Sequence, residues 1–428
     1  MVRITMAKEN SKVVIFALDE NSFIKLWGMT LIEKTIRLFS QNGFEECVVV
    51  FRDNSKIDDF LRRDFKKWNK IHLRSLKLIK NEIKTLKFIL SGDKSSFVVL
   101  EGNGVYDGRI FEHLKKGMHA GHFQYVKDEL NDNTPYIFWI NDKILRSRGV
   151  KNEHQKIEDF VKNNPSIKKV YTKDMDCYII KLRRRMVPYL FKIDDSQSLK
   201  KAELTAFTSV YKGATDFITK YFYPIPVRWS VKLLSPTIIT PNHITFVSMI
   251  LSFGAIPFYF IGWFWTAIIM GLIMSLLDSI DGKLARLTIR ISTSGDLMDH
   301  ISDIVYLPIW YFGVGWYLSK GEIFNFNLNI VLAIWGVVVF YFIDRAVLGL
   351  FKKIYNVELH DYTNLDSFFR IYVARRNPFL LVMIISMIFI NPEFGLYTTT
   401  IWTMITFIFH FIRFIYLPLS GKKHQSLV

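Results

Sequence analysis

The sequence predicts a chain in two parts, an α/β soluble domain followed by an all-α membrane domain of six spanning helices. Three observations carry that prediction. Residues 1–235 are rich in Lys and Glu and alternate strand-like and helix-like runs. From about 241 onward the chain is a series of apolar runs separated by short charged segments. Between two of those runs lies a stretch with four carboxylates, Asp278, Asp281, Asp299 and Asp303. Strand–helix alternation indicates a largely parallel sheet, and repeated runs near 20 apolar residues indicate transmembrane helices.

In the first part, VVIFAL (13–18) is short, apolar and β-branched. TLIEKTIRLFSQNG (30–43) has helical spacing with a glycine at its end, and ECVVVF (46–51) is again strand-like. Together they make a β-α-β unit. Further strand candidates fall at 97–101, 135–141, 168–172 and 177–182. Ligands in such sheets bind beyond the carboxyl ends of the strands, here near Leu18–Ile24 and Gly102–Asp107. The expected soluble domain is 1–195.

Residues 196–240 mix aromatics and cations at helical spacing without a long apolar run. That composition predicts amphipathic helices on the membrane surface, with Lys and Arg toward headgroups and Phe, Tyr and Trp dipping inward. The remaining domain is 241–428, with spans expected at 243–262, 264–281, 301–319, 328–350, 378–393 and 396–418.

Loop charges orient these spans. Lys283, Arg286 and Arg290 follow the second; Lys352, Lys353, Arg370, Arg375 and Arg376 lie between the fourth and fifth; Lys422 and Lys423 end the chain. The opposite loops carry one lysine, Lys320, and none in NPEFG (391–395). Positive charge stays inside, so both termini are expected in the cytoplasm, in agreement with six spans. The start, MVRITMAKENSK, has no apolar core or cleavage site of a secretory signal. A net charge of +17 is accounted for by an anionic membrane surface, with no nucleic-acid partner required. The two cysteines, Cys47 and Cys177, imply neither a disulfide framework nor a zinc site.

The acidic stretch carries the chemistry. A charge near the bilayer centre costs about 2.5–3.5 kcal/mol even on the insertion scale, so four carboxylates beside apolar runs need compensating charge. Asp278 and Asp281 are three apart, Asp299 and Asp303 four apart, so each pair shares a helix face. Two such faces suit hard divalent cations. Gly282 and Ala285 leave a bare helical surface where a ring or phosphate can approach the backbone, and ISTSG (291–295) is a turn able to cap the following helix.

The order Asp278-x2-Asp281-Gly282-x2-Ala285-Arg286-x8-Gly295-x3-Asp299-x3-Asp303 resembles the signature of the CDP-alcohol phosphotransferases. The likeness covers about 200–420, and TPNHIT (240–245) is similar to that family's TPN-x-T opening. The resemblance implies an enzyme that transfers a substituted phosphate from a CDP-linked donor to an alcohol acceptor, releasing CMP. It implies Mg²⁺ or Mn²⁺, two ions, on Asp278, Asp281, Asp299 and Asp303, with Asp303 also the general base. Gly282, Ala285, Arg286, Gly295, Thr240 and Asn242 would line the nucleotide site. Glycine-rich and aromatic faces on the third and fourth spans allow a homodimer.

GMTLIEKTI (28–36) with ECVVVF, and FVVLEGNGVYDGRIFEHL (97–114), resemble the sugar-phosphate nucleotidyltransferases. That family has a glycine-rich first loop; this chain has DENSF (19–23). Where its metal-binding Asp would fall stands Asn103, a weaker ligand for Mg²⁺. The domain is therefore expected to be catalytically dead or regulatory. The fusion is similar in layout to archaeal enzymes that make a CDP-inositol donor and a di-myo-inositol phosphate product, which leaves a bifunctional cytidylyltransferase and transferase as the alternative. Arg345, Arg370, Arg375 and Arg376 form a cationic group suited to bidentate phosphate binding and so to a phosphorylated acceptor such as inositol phosphate. A transporter would spread its ionisable residues along several spans near mid-membrane, unlike this chain.

Overall fold

The computed structural model describes residues 12–52, 71–91, 96–119, 123–129, 133–141, 144, 156–179, 182–291 and 293–419. Lys422, Lys423 and part of the strand candidate at 177–182 lie outside the described residues. The chain divides into two compact units: Met1–Cys177 with Met186–Ser209, and Tyr178–Arg185 with Val210–Val428.

The first unit is built on a seven-stranded sheet. Its strands are β1 (Lys12–Ala17), β2 (Glu46–Phe51), β3 (His72–Lys77), β4 (Phe97–Glu101), β5 (Gln124–Lys127), β6 (Ile137–Ile140) and β7 (Lys168–Tyr171). The order is β7-β5-β6-β4-β1-β2-β3. Every neighbouring pair is parallel except those of β6, which runs antiparallel to β4 and β5. Among the described residues its helices are α1 (Leu31–Gln41), α2 (Glu82–Leu90), α3 (Gly108–His119), α4 (Ile157–Asn163) and α5 (Ser196–Ser209).

Successive residues of a strand face opposite sides, and here both sides are covered. Val13, Ile15 and Ala17 pack with Ile32 and Ile36 of α1 and Ile110 and Phe111 of α3. Val14 and Phe16 pack with Ile83 and Leu86 of α2 and Phe160 of α4. Unbroken apolar strands such as ECVVVF follow from that two-sided burial. β3, HLRSLK, escapes a sequence reading because it is the edge strand and most of its residues are exposed.

The second unit is helical: α6 (Phe217–Tyr221), α7 (Pro224–Leu234), α8 (Pro241–Phe260), α9 (Phe264–Leu287), α10 (Thr293–Leu318), α11 (Asn329–Tyr355), α12 (Asn364–Phe369), α13 (Arg376–Phe389) and α14 (Pro392–Leu419). On α7, Val227 and Val231 are buried, while Ile225, Trp229 and Leu233 form an exposed apolar stripe, with Trp229 78% exposed. Such a stripe beside Arg228 and Lys232 suits a membrane interface.

Among the described residues, five helical segments are long and apolar enough to cross a membrane: Pro241–Phe260, Phe264–Leu287, Asn329–Tyr355, Asn364–Phe389 and Pro392–Leu417. The sixth expected span, at 301–319, appears as the shorter apolar helix Ile304–Leu318, the later part of α10. The first three turns of α10 are polar, TSGDLMDHISD, which leaves an apolar length of about 22 Å at 1.5 Å per residue. The bundle core joins Ala255 and Tyr259 of α8, Met274 of α9, Trp310 of α10, Val337 of α11 and Phe379 of α13. Gly271 makes this crossing possible: a Cβ there would come within 2.9 Å of Leu380, so α9 and α13 approach at a small residue.

Candidate active site

α9 runs without interruption through the first half of the motif, Asp278 to Arg286, so Asp278 and Asp281 stand three residues apart on one face. Asp281 is 7% exposed. Its Oδ2 accepts from Thr245 Oγ1 on α8 at 2.6 Å, and its Oδ1 accepts from the Gly282 N–H at 2.5 Å. A buried carboxylate is tolerable when hydrogen bonds satisfy it. Thr245 is the last residue of TPNHIT, and the sequence reading passed over it in favour of Thr240 and Asn242. Those two form the N-terminus of α8 instead. Thr240 caps the helix in a reciprocal box with His243, and Asn242 is exposed in the first turn.

Asp278 takes a different partner. Arg376, the first residue of α13, places Nη2 at 2.5 Å from Asp278 Oδ2 and Nη1 at 3.0 Å from the Tyr306 hydroxyl. The next residue fixes this arrangement. Asn377 Oδ1 accepts from Ser275 Oγ, three residues before Asp278, and Asn377 Nδ2 donates to Asp216 Oδ1 at 3.0 Å and Thr219 Oγ1 at 3.2 Å. Asp216 is the N-cap of α6. Burial pushes its carboxyl up, but the Asn377 amide, the Thr219 N–H and hydroxyl, and the nearby Arg370 outweigh that and hold it below the usual carboxylate range.

Two cations of this stretch, Lys283 and Arg286, reach from α9 to the segment 210–211. Lys283 Nζ donates to Ser279 O at 3.1 Å and sits 4.3 Å over the Tyr211 ring. Arg286 Nε donates to Val210 O at 3.0 Å, and its terminal nitrogens lie over Gly282, 3.3 Å from where a Cβ would stand. The bare surface expected at Gly282 is thus the seat of Arg286. Ala285 is half-buried on the same helix. Gly295 lies in the first turn of α10, and Asp299 and Asp303 follow on that helix; their side chains lie outside the described residues.

The other arginines form a second group. Arg345, Arg370 and Arg375 lie within electrostatic range of one another, and Arg183, beside the short antiparallel pair of Tyr178–Ile179 with Arg184–Arg185, joins them. Arg345 Nε, Arg370 Nε and Nη1, and Arg375 Nε are buried without a hydrogen-bond partner among the described residues. Nearby, Asp344 accepts from or shares a proton with His410 Nδ1 at 2.5 Å, and the His410 ring meets His360 edge-on at 4.9 Å. Arg183 is paired with Glu358 at 2.7 Å and Asp361 at 3.6 Å. Sequence spacing had no means of adding Arg183, which lies more than 150 positions before Arg345.

In the first unit, the loop after β1 becomes a single 3₁₀ turn, Glu20–Phe23, capped by Asp19. The N–H groups of Asn21, Ser22 and Ile24 donate to Asp19 Oδ1, Asp19 O and Asn21 O. Donors that a glycine loop would offer to phosphates are spent inside the turn. Asn103, 1% exposed, donates to Asp194 Oδ1 at 3.5 Å, while Asn133 donates to Asp194 Oδ2 at 2.6 Å.

The second unit therefore defines a class: a multi-pass membrane protein with paired aspartates on the later turns of one spanning helix. Residues 238–412 match the family model described as CDP-alcohol phosphatidyltransferase, and this C-terminal region is a domain of that transferase family. A stretch of 83 residues is 32% identical to the inner membrane protein YnjF of Escherichia coli (strain K12), covering 19% of this chain and 40% of that protein. The chain thus spans about two fifths of the length of the curated relative it matches. Among solved structures it is similar to Mycobacterium tuberculosis phosphatidylinositol phosphate synthase with CDP-DAG bound (16% identity, TM-score 0.33, 46% of this chain and 94% of that one). It is also similar to the inositol-1-phosphate CTP transferase from T. maritima (11% identity, TM-score 0.32, 46% and 94%).

Proposed function

We propose that the protein is a membrane-embedded, divalent-cation-dependent CDP-alcohol phosphotransferase. It moves a substituted phosphate from a CDP-linked donor to an alcohol and releases CMP. The observation that carries this is the eight-position motif from Asp278 to Asp303, lying within the region that matches the family model.

The donor set suits a divalent cation. Asp278 and Asp281 are hard oxygen donors on one helix face, and Asp278 already draws a cationic partner, Arg376. Asp278, Asp281, Asp299 and Asp303 would hold Mg²⁺ or Mn²⁺, two ions in this reading; bound there, the ions would neutralise the diphosphate and the developing charge on the leaving CMP. The chain's own residues do the rest. Thr245 and the Gly282 N–H keep Asp281 aimed. Arg286, Gly282, Ala285 and Gly295 face the nucleotide, with Thr240 and Asn242 at its margin. Asp303 takes the proton from the acceptor hydroxyl.

The acceptor of this reading carries a phosphate, as inositol phosphate does. Arg345, Arg370 and Arg375 support that choice, since unpartnered buried guanidinium nitrogens call for an anion. Both termini lie on the cytoplasmic side in this reading, and the N-terminal unit does not make the donor, because its first loop keeps its N–H groups and Asn103 replaces a carboxylate. Offering the purified protein a panel of CDP-linked donors and alcohols and measuring CMP release tests the proposal. No Mg²⁺-dependent CMP release with any pair would overturn it.

A further inference from the structure

We propose that Arg376 is a competing counter-ion of Asp278: it holds the carboxylate in the cation-free protein and yields it to an incoming divalent cation. The inference rests on the reading of Asp278 as a cation ligand.

Arg376 is anchored independently of Asp278. Its Nη1 bonds the Tyr306 hydroxyl on α10 at 3.0 Å and lies 3.4 Å from Met274 Sδ on α9. Its backbone is fixed by Asn377, which is tied to Ser275 on α9 and to Asp216 and Thr219 at the start of α6. A guanidinium presents its donors as a rigid fork. One prong therefore stays on Tyr306 when the other leaves Asp278, and the side chain needs only a small displacement to release the carboxylate. The pair is largely but not fully enclosed, with side-chain exposures of 14% for Arg376 and 20% for Asp278, so water and ions can reach it.

An ionised Asp278 beside Asp281 in an apolar bundle is costly without a positive charge. Arg376 supplies that charge and keeps Asp278 aimed along one direction. The same charge opposes a cation at Asp278, so affinity for the ion is lowered in exchange for a site that stays assembled. Arg376 is thus a positioning residue. It stands apart from the acceptor arginines with which sequence spacing grouped it.

The test is Mn²⁺ binding to the full-length protein in detergent without substrates, followed by electron paramagnetic resonance of free Mn²⁺. Arg376→Gln should tighten Mn²⁺ binding about tenfold, the scale of one partly enclosed charge pair. Arg376→Lys, which keeps the charge, should stay within about threefold of wild type. Unchanged or weaker binding in a folded Arg376→Gln protein overturns the proposal. A second measurement needs no Arg376 variant: phenylglyoxal labelling of Arg376, read by peptide mass, should accelerate when Mn²⁺ saturates the wild type. Asp278→Asn should label at the faster rate without Mn²⁺. Labelling that slows or does not change with Mn²⁺ overturns the exchange. Wild-type protein that binds no Mn²⁺, or Asp278→Asn that binds it as wild type does, overturns the cation reading itself and this inference with it.

Discussion

The hydroxyl of Thr245 donates to Asp281 Oδ2 at 2.6 Å, joining the first spanning helix to the acidic motif of the second. Both residues are buried, and a buried carboxylate that loses a donor pays the desolvation cost in full, about 1–3 kcal/mol or more. Thr245→Val keeps the shape and removes the donor. It should lower kcat about tenfold or more and lower the thermal midpoint, while Thr245→Ser restores both. CMP release and a melting curve on the same preparation check this.

Asp303→Asn should retain Mg²⁺-dependent CDP binding and lose about 10²–10⁴-fold in turnover, the usual contribution of a general base. Undiminished CMP release from that variant would remove Asp303 from the role.

Arg370→Gln and Arg375→Gln should raise KM for a phosphorylated acceptor at least tenfold and leave KM for a neutral alcohol within about twofold, because a bidentate guanidinium–phosphate contact is worth more than a neutral one. Equal effects on both acceptors would argue for a structural role.

Asp216 gives a pH signature. Its folded carboxyl lies below the ordinary value of 3.8, so its contribution to stability is complete above about pH 4 and lost as pH falls through the lower folded value. Asp216→Ala, which removes the cap of α6 and a partner of Asn377, should destabilise by about 0.5–2 kcal/mol at pH 7. The difference from wild type should shrink below pH 4 in a thermal-shift series.

The full chain given CTP, Mg²⁺ and inositol phosphate should release no pyrophosphate, because the N–H groups of Asn21, Ser22 and Ile24 in the loop after β1 are satisfied within the loop. Pyrophosphate release would restore the bifunctional reading.

Strands and spans were legible where one period dominates. VVIFAL and ECVVVF read as strands because both faces of the sheet are covered, so every position is apolar. β3 was not legible, since an edge strand of HLRSLK has no apolar period. The span within α10 read as longer than its apolar part because the run at 301–319 was counted across Asp303.

The candidate site was legible in its helical spacing and less so in its partners. Spacing placed Asp278 and Asp281 on one face because an α-helix repeats every 3.6 residues. It could not pair Thr245 with Asp281 or Arg376 with Asp278, separated by 36 and 98 positions. Such contacts depend on which helices pack together, and small residues such as Gly271 set that packing.

By itself the sequence determined the two-part architecture, the acidic motif and its family resemblance, since each is written in local periodicity and spacing. The tertiary structure alone decided which cation answers which carboxylate. It sent Arg376 to Asp278, seated Arg286 over Gly282, brought Arg183 to Arg345, Arg370 and Arg375, and closed the 19–24 loop on itself. Local spacing sets the direction in which a side chain leaves its helix, whereas its partner is chosen by helix packing across distant parts of the chain.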